Sequence, residues 1–164
     1  MKTILFQKFH IIQIFSQRNK QELIWKVFDT SSVTEIGYNA FLECGLLKRV
    51  HLSSSLTEIK RWLFENCLPL EEIVIPPLVK VIQKNAFRNC HSIKQIIIPP
   101  SVKIIGEKSF VYCKSLNYVQ IPESVTKIES YAFACCPSLR KFPIHSTVTK
   151  TGDGIFDSKL KCRY

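Results

Sequence analysis

Seven cysteines and four histidines are the residues of this 164-residue chain suited to metal binding, disulfide formation or nucleophilic catalysis. Five of the cysteines, Cys44, Cys67, Cys90, Cys113 and Cys136, recur at a constant interval of 23 residues. Zinc needs four ligands converging tetrahedrally, commonly from C-x2–4-C pairs. None is present, because Cys135 and Cys136 are adjacent, an arrangement expected to turn one side chain inward and the other outward. An equal interval is the mark of a structural column, and a buried free thiol packs as a small hydrophobe. Stacked strands lie ~4.8 Å apart, inside the ~4.4–6.8 Å range of Cα separations that disulfides span. In a stack, however, the Cβ vectors run parallel instead of converging. The expectation is five buried free thiols, with Cys135 and Cys162 open to a thiol reagent.

Catalysis is no easier to assemble. His10, His51, His91 and His145 fall at four different places relative to the 23-residue interval, so no shared histidine site is implied. Cys90 and His91 are adjacent and point to different sides of a turn, and Cys90 belongs to the structural column. Aspartate occurs only at Asp29, Asp153 and Asp157, and five glycines supply no phosphate-cradling loop. No catalytic residue, metal or cofactor is expected; an enzyme built from Glu and His on an exposed sheet face is the residual alternative.

The formal charge of +10 comes from 23 basic against 13 acidic residues. Its excess is spread along the chain: five basic and two acidic residues in 1–32, fourteen and nine in 33–147, four and two in 148–164. A nucleic-acid site wants Lys and Arg clustered on one face and interleaved with aromatics, so no specific nucleic-acid partner is expected. The opening Met1, Lys2, Ile4, Leu5 and Phe6 are interrupted by Gln7, Lys8, His10 and Gln13, and no small-residue cleavage site follows. No apolar run approaches the ~20 residues of a membrane span.

The elements that hold these residues are repeats. From Val33 the chain divides into five gapless blocks of 23 residues, 33–55, 56–78, 79–101, 102–124 and 125–147, followed by an incomplete sixth at 148–164. Block position 1 is Val33, Leu56, Val79, Val102 and Val125; position 4 is Ile36, Ile59, Ile82, Ile105 and Ile128; position 9 is Phe41, Phe64, Phe87, Phe110 and Phe133. Leu or Ile at position 15 begins an L-x-x-L-x-L pattern running through Val50, Ile73, Ile96, Val119 and Phe142 to Leu52, Ile75, Ile98, Ile121 and Ile144. The i, i+2 spacing of the last two columns is that of a short strand with one buried face. Pro76, Pro99 and Pro122 follow it and cannot donate to a ladder, so the strand stops there, about four residues long. At block positions 5 to 12, stretches such as GEKSFVYC and QKNAFRNC lack period-2 alternation and suit a short helical or 3-10 turn with Phe inward. One strand and one turn cannot bury a core alone, whereas stacked rungs can. The expected fold is an α/β solenoid with one short parallel strand and one short helical or 3-10 turn per repeat. Residues 1–32 are expected to form a degenerate repeat or N-terminal cap. There Met1, Ile4 and Phe6 fit one rung and Ile24 and Val27 the next, with Asp29 where an aliphatic belongs. Residues 148–164 form an incomplete repeat or C-terminal cap.

The pattern L-x-x-L-x-L-P-x-S-V-x-x-I-G-x-x-A-F-x-x-C resembles the BspA-type leucine-rich repeats, best in the third and fourth blocks. Departures fall at Ser53, Trp62-Leu63 and His145, in surface or edge columns. The resemblance implies a leucine-rich-repeat horseshoe serving surface adhesion or protein interaction, with a host matrix or cell-surface protein as partner and a cell-surface or extracellular location. An intracellular scaffold is the alternative, consistent with the column of free thiols and with the absence of any N-x-S/T sequon.

Binding belongs to the columns that vary. Positions 17 and 19 alternate outward against the buried positions 18 and 20. They give a candidate partner-binding strand face of Arg49, His51, Glu72, Val74, Gln95, Ile97, Tyr118, Gln120 and Lys141. Val74, Ile97 and Tyr118 form its apolar centre and the charged residues its rim, as in protein interfaces. Lys80, Lys103, Lys127 and Lys150 form a second candidate, a basic ladder beside the strand-terminal turn. Five strands at ~4.8 Å with ~10 Å of exposed length each offer on the order of 240 Å², against about 800 Å² per partner in a standard interface. Neighbouring loops, or many copies acting by avidity, must therefore contribute.

Overall fold

The structure, a computed structural model, describes residues 28–29, 35–140 and 144–156. Among these are ten short strands: β1 (Phe28–Asp29), β2 (Arg49–His51), β3 (Glu58–Ile59), β4 (Glu72–Ile73), β5 (Val81–Ile82), β6 (Gln95–Ile97), β7 (Ile104–Ile105), β8 (Tyr118–Gln120), β9 (Lys127–Ile128) and β10 (Lys150–Thr151). All pairings are parallel, and successive blocks align residue for residue, as in Gln95 with Tyr118 and Val81 with Ile104. The result is a parallel-strand solenoid.

Each rung carries two strands where the repeat pattern predicts one. The anticipated strand lies at block positions 17–19 and is two or three residues long. A second lies at positions 3–4 and builds a continuous five-stranded sheet in the order β10-β9-β7-β5-β3. Ile59, Ile82, Ile105 and Ile128 point inward from it and are fully buried. The two strands are joined by a turn in which the amides of Val79, Val102 and Val125 donate to the carbonyls of Pro76, Pro99 and Pro122. The hydroxyls of Ser101 and Ser124 reach back to the carbonyls of Val79 and Val102, at 2.7 and 2.9 Å.

The expected helical or 3-10 turn is not formed. Among the described residues there is no helix, because left-handed backbone recurs at positions 7 and 11 of every block. Examples are Trp62 and Asn66 (φ 58° and 60°), Asn85 and Asn89 (56° and 60°), and Lys108 and Tyr112 (54° and 62°). A right-handed helix cannot continue through such residues, each of which costs roughly 1–2 kcal/mol when it is not glycine. Hydrogen bonds offset that cost. Alternate amides close tight turns within the rung, as Leu63 to Lys60, Glu65 to Trp62 and Cys67 to Phe64. The intervening ones point along the solenoid, as Phe64 to Ala86 and Asn66 to Arg88, both 2.8 Å. The third side of each rung is thereby laddered to its neighbour, although it contains no strand.

The core is a set of columns. Phe41, Phe64, Phe87, Phe110, Phe133 and Phe156 stack with centroids 5.1–5.8 Å apart and planes within 15° of parallel. Beside them runs the thiol column. Cys67, Cys90, Cys113 and Cys136 are buried and free, and Cys44 is free and half-buried. Each buried thiol donates to the carbonyl of the preceding rung's phenylalanine: Cys67 to Phe41 (2.9 Å), Cys90 to Phe64 (3.1 Å), Cys113 to Phe87 (3.3 Å) and Cys136 to Phe110 (3.1 Å).

Two local expectations fail. Cys135 is not an exposed thiol: it is disulfide-bonded, only 6% exposed, and packed with Val111 and Ala134. Its left-handed backbone (φ 56°) turns it into this side cluster, so it and Cys136 are both buried. At the N-terminal end, Phe28 aligns with Val50 and Asp29 with His51. Phe28, not Val27, therefore holds the strand column, and Asp29 falls in the outward register instead of the aliphatic one. The readings of Met1, Ile4, Phe6, Ile24 and Cys162 lie outside the described residues.

Candidate partner-binding face

The face of the strands at positions 17–19 is organised by alternation. In β2, β6 and β8 the middle residue (Val50, Ile96, Val119) is buried and the flanking ones are exposed. Arg49, His51, Glu72, Val74, Gln95, Ile97, Tyr118 and Gln120 all lie exposed along it, and Lys141 lies outside the described residues. At its centre Val74, Ile97 and Tyr118 are 80%, 58% and 50% exposed, unusually open for large apolar side chains. At one end Arg49 forms a two-pronged ion pair with Glu72, Nε to Oε2 at 3.2 Å and Nη2 to Oε1 at 3.3 Å. Lys48 and Glu71 pair beside it at 3.7 Å.

The face is not one sheet. β1, β2 and β4 form a three-stranded piece and β6 and β8 a two-stranded piece, with no pairing between β4 and β6. A cavity of about 770 Å³ opens there, lined by Glu71–Ile75, Lys94, Gln95, Ile97, Pro99 and the two serines Ser92 and Ser115. Ile73, inward in the register, is only half-buried for this reason, unlike Val50, Ile96 and Val119. Nothing in the repeat pattern signals the break, since EEIVIPP and KQIIIPP share the same spacing.

The lysine ladder resolves into two pairs. Lys127 and Lys150 align directly, but they stand in register with Val81 and Ile104, one position after Lys80 and Lys103. Lys127 is also paired with Glu129. Four lysines in one line are therefore not presented.

Cys90 and His91 do not act together. Burial pushes the Cys90 thiol well above its ordinary range, and it donates to the Phe64 carbonyl. Partial burial, then Lys114, lowers the His91 pKa and favours the neutral ring. Among the described residues no three His, Cys, Asp or Glu side chains gather as a metal-binding group, and no helix is long and apolar enough to cross a membrane.

A solenoid of parallel rungs with this strand pattern defines a leucine-rich-repeat protein. The chain belongs to the BspA-type leucine-rich repeat family, whose description matches in six copies across residues 11–103 and 80–163. It is similar in structure to a leucine-rich cell surface protein from Faecalibacterium prausnitzii (36% identity, TM-score 0.69), covering 77% of this chain and 34% of that one. A leucine-rich repeat protein from Bacteroides ovatus is similar at 28% identity and TM-score 0.61, over 78% of this chain and 45% of that one. The leucine-rich repeat protein of T. pallidum is 27% identical with TM-score 0.59, over 74% and 63%. The chain thus spans about a third of the first of these and less than half of the second. Comparison with curated proteins returns no match.

Proposed function

We propose that this chain is a non-catalytic protein-binding module that engages its partner through the strand face and serves adhesion or interaction at the cell surface. The observation that carries this reading is the apolar centre of Val74, Ile97 and Tyr118 inside a polar rim of Arg49, His51, Glu72, Gln95 and Gln120. Exposed apolar groups of this kind, ringed by polar ones, mark interaction sites. The surface location is supported by the 36% identical F. prausnitzii cell surface protein, and by the bonded Cys135, since disulfides persist in oxidising compartments. The five free thiols favour a second reading, an intracellular scaffold using the same face.

Two experiments test the proposal. In protease shaving of intact cells, loss of the chain supports display at the surface and survival supports the scaffold. In a binding screen against purified matrix and cell-surface proteins, the variant V74D/I97D/Y118A is expected to lose binding at least about tenfold, the effect of removing an interface centre. K80E/K103E is expected to retain it. Equal binding by the face variant would remove the strand face from the account.

A further inference from the structure

We propose that the gap between β4 and β6 is a slot for an extended peptide strand of a protein partner, which inserts there and completes the sheet. The proposal rests on the strand face being the binding surface and names the occupant of one part of it.

The gap is one-sided. Across the same two rungs the other sheet is intact, with Glu58 aligned to Val81 and Ile59 to Ile82. The turn side is also closed, through the amides of Phe64 and Asn66 and through the Phe64–Phe87 ring stack at 5.3 Å. The rungs are therefore laddered to each other at the back and unpaired at the front.

Backbone polarity then says what fits. In a parallel ladder, alternate residues turn their N–H and C=O groups to opposite neighbours. β6 pairs with β8, and the Ile98 amide donates to the Gln120 carbonyl at 3.0 Å, so Ile96 and Ile98 face β8. Gln95 and Ile97 face the other way, into the gap. On the opposite wall β4 pairs with β2 through Glu72 and Ile73, and by the same alternation the N–H groups of Ile73 and Ile75 face the gap. No backbone hydrogen bond joins residues 71–75 to 94–98. Two parallel rows of donors and acceptors thus confront each other across a space with no chain in it.

Each row is four or five residues long, or roughly 13–17 Å at ~3.3 Å per residue. The volume of about 770 Å³ lies within the range of ~300–1,000 Å³ typical of ligand sites. The floor is apolar, from Ile73 and Ile75, and Val74 and Ile97 stand at the rim. Glu71 and Glu72 are already engaged by Lys48 and Arg49, and Lys94 on the opposite wall is exposed to solvent, so little unscreened charge faces a ligand. An uncharged strand with alternating β-branched residues meets these conditions. Strand addition of this kind draws affinity from the main chain and selectivity from alternate side chains.

The test uses the isotope-labelled chain and two probes: a capped heptapeptide alternating Thr and Val, and the same peptide N-methylated at every Val, which removes all its donors toward one wall. Hydrogen exchange by NMR is expected to show Ile73, Ile75, Gln95 and Ile97 exchanging at least about tenfold faster than Tyr118 and Gln120 in the free chain. Saturating peptide is expected to slow those four amides at least about tenfold and leave Ile96 and Ile98 unchanged. N-methylation is expected to weaken binding by at least about tenfold, the effect of losing two or so hydrogen bonds. Protection of Gln95 and Ile97 in the free chain equal to that of Tyr118 and Gln120 would overturn the proposal, as would equal binding of the methylated probe. Self-association of the free chain with protection of the same four amides would make a second copy the occupant and overturn it likewise. Failure of the peptide while V74D/I97D/Y118A still abolishes partner binding would remove the slot and leave the face.

Discussion

Truncating Phe87 to alanine should destabilise the solenoid far more than the same change at Phe156. Phe87 is fully buried and stacked on both sides, on Phe64 at 5.3 Å and on Phe110 at 5.1 Å. Removing a buried Phe side chain typically costs about 3–5 kcal/mol, cavity included. Each lost stack adds about 0.5–1.5 kcal/mol beyond area burial, which places the Phe87→Ala change at the upper end or above. Phe156 closes the described column, is 36% exposed, and stacks on Phe133 at 5.8 Å and 15°. With about two-thirds of a side chain's burial to lose, its truncation should cost about 1–2 kcal/mol. Because each rung touches only its neighbours, a change at the middle of the column also uncouples the rungs on either side. Equilibrium urea denaturation, followed by far-UV circular dichroism, measures both. The two variants should differ by at least about 2 kcal/mol, with the Phe87 variant also losing cooperativity. Equal destabilisation by the two truncations would refute a stacked column as the main support of the fold.

The thiol column gives a pH prediction. Burial pushes Cys90 and Cys113 upward, and at Cys67 the hydrogen bond with the Cys44 thiol followed by burial does the same. Folding therefore holds protons that an unfolded thiol, with a pKa near ~8.5, releases. The contribution is complete below that pH and is lost above it, at about 1.4 kcal/mol per pH unit for each thiol. Denaturation midpoints should be flat from about pH 7 to 8 and fall steeply beyond pH 9, and an unchanged midpoint at pH 10 would contradict the protonated column. Gly106→Ala should cost about 1–3 kcal/mol by overpacking, because a Cβ there would stand 2.7 Å from the Ile82 carbonyl oxygen and the Gln83 carbonyl carbon. Its thermal midpoint, compared with that of Gly45→Ala, where nothing lies within 4 Å, checks this.

Much of the fold was legible because it is written five times. A single Phe every 23 residues would say little, but Phe41, Phe64, Phe87, Phe110 and Phe133 in one column leave no alternative to an inward stack. The outward positions followed from alternation about Val50, Ile96 and Val119. The second sheet was hidden because two-residue strands such as Val81–Ile82 are too short to alternate. The helical turn was the wrong alternative although Asn39, Asn66, Asn85 and Asn89 stood at the left-handed positions; asparagine is the residue that tolerates such backbone best after glycine. The register of Phe28 with Val50 is not legible in the sequence, because one degenerate rung cannot reveal a missing residue. The separation of β4 from β6 is a property of how two rungs meet, and no single block contains it.

Photo-crosslinking from defined positions is the most direct measure of whether the strand face is the binding surface. A benzophenone amino acid placed singly at positions 74, 97 and 118, and in control chains at 80 and 103, reports which side of the solenoid a bound protein touches. With any partner captured in the binding screen, the account predicts adducts from 74, 97 and 118 and none above background from 80 and 103. Adducts from the two lysine positions, with the strand positions silent, would contradict it.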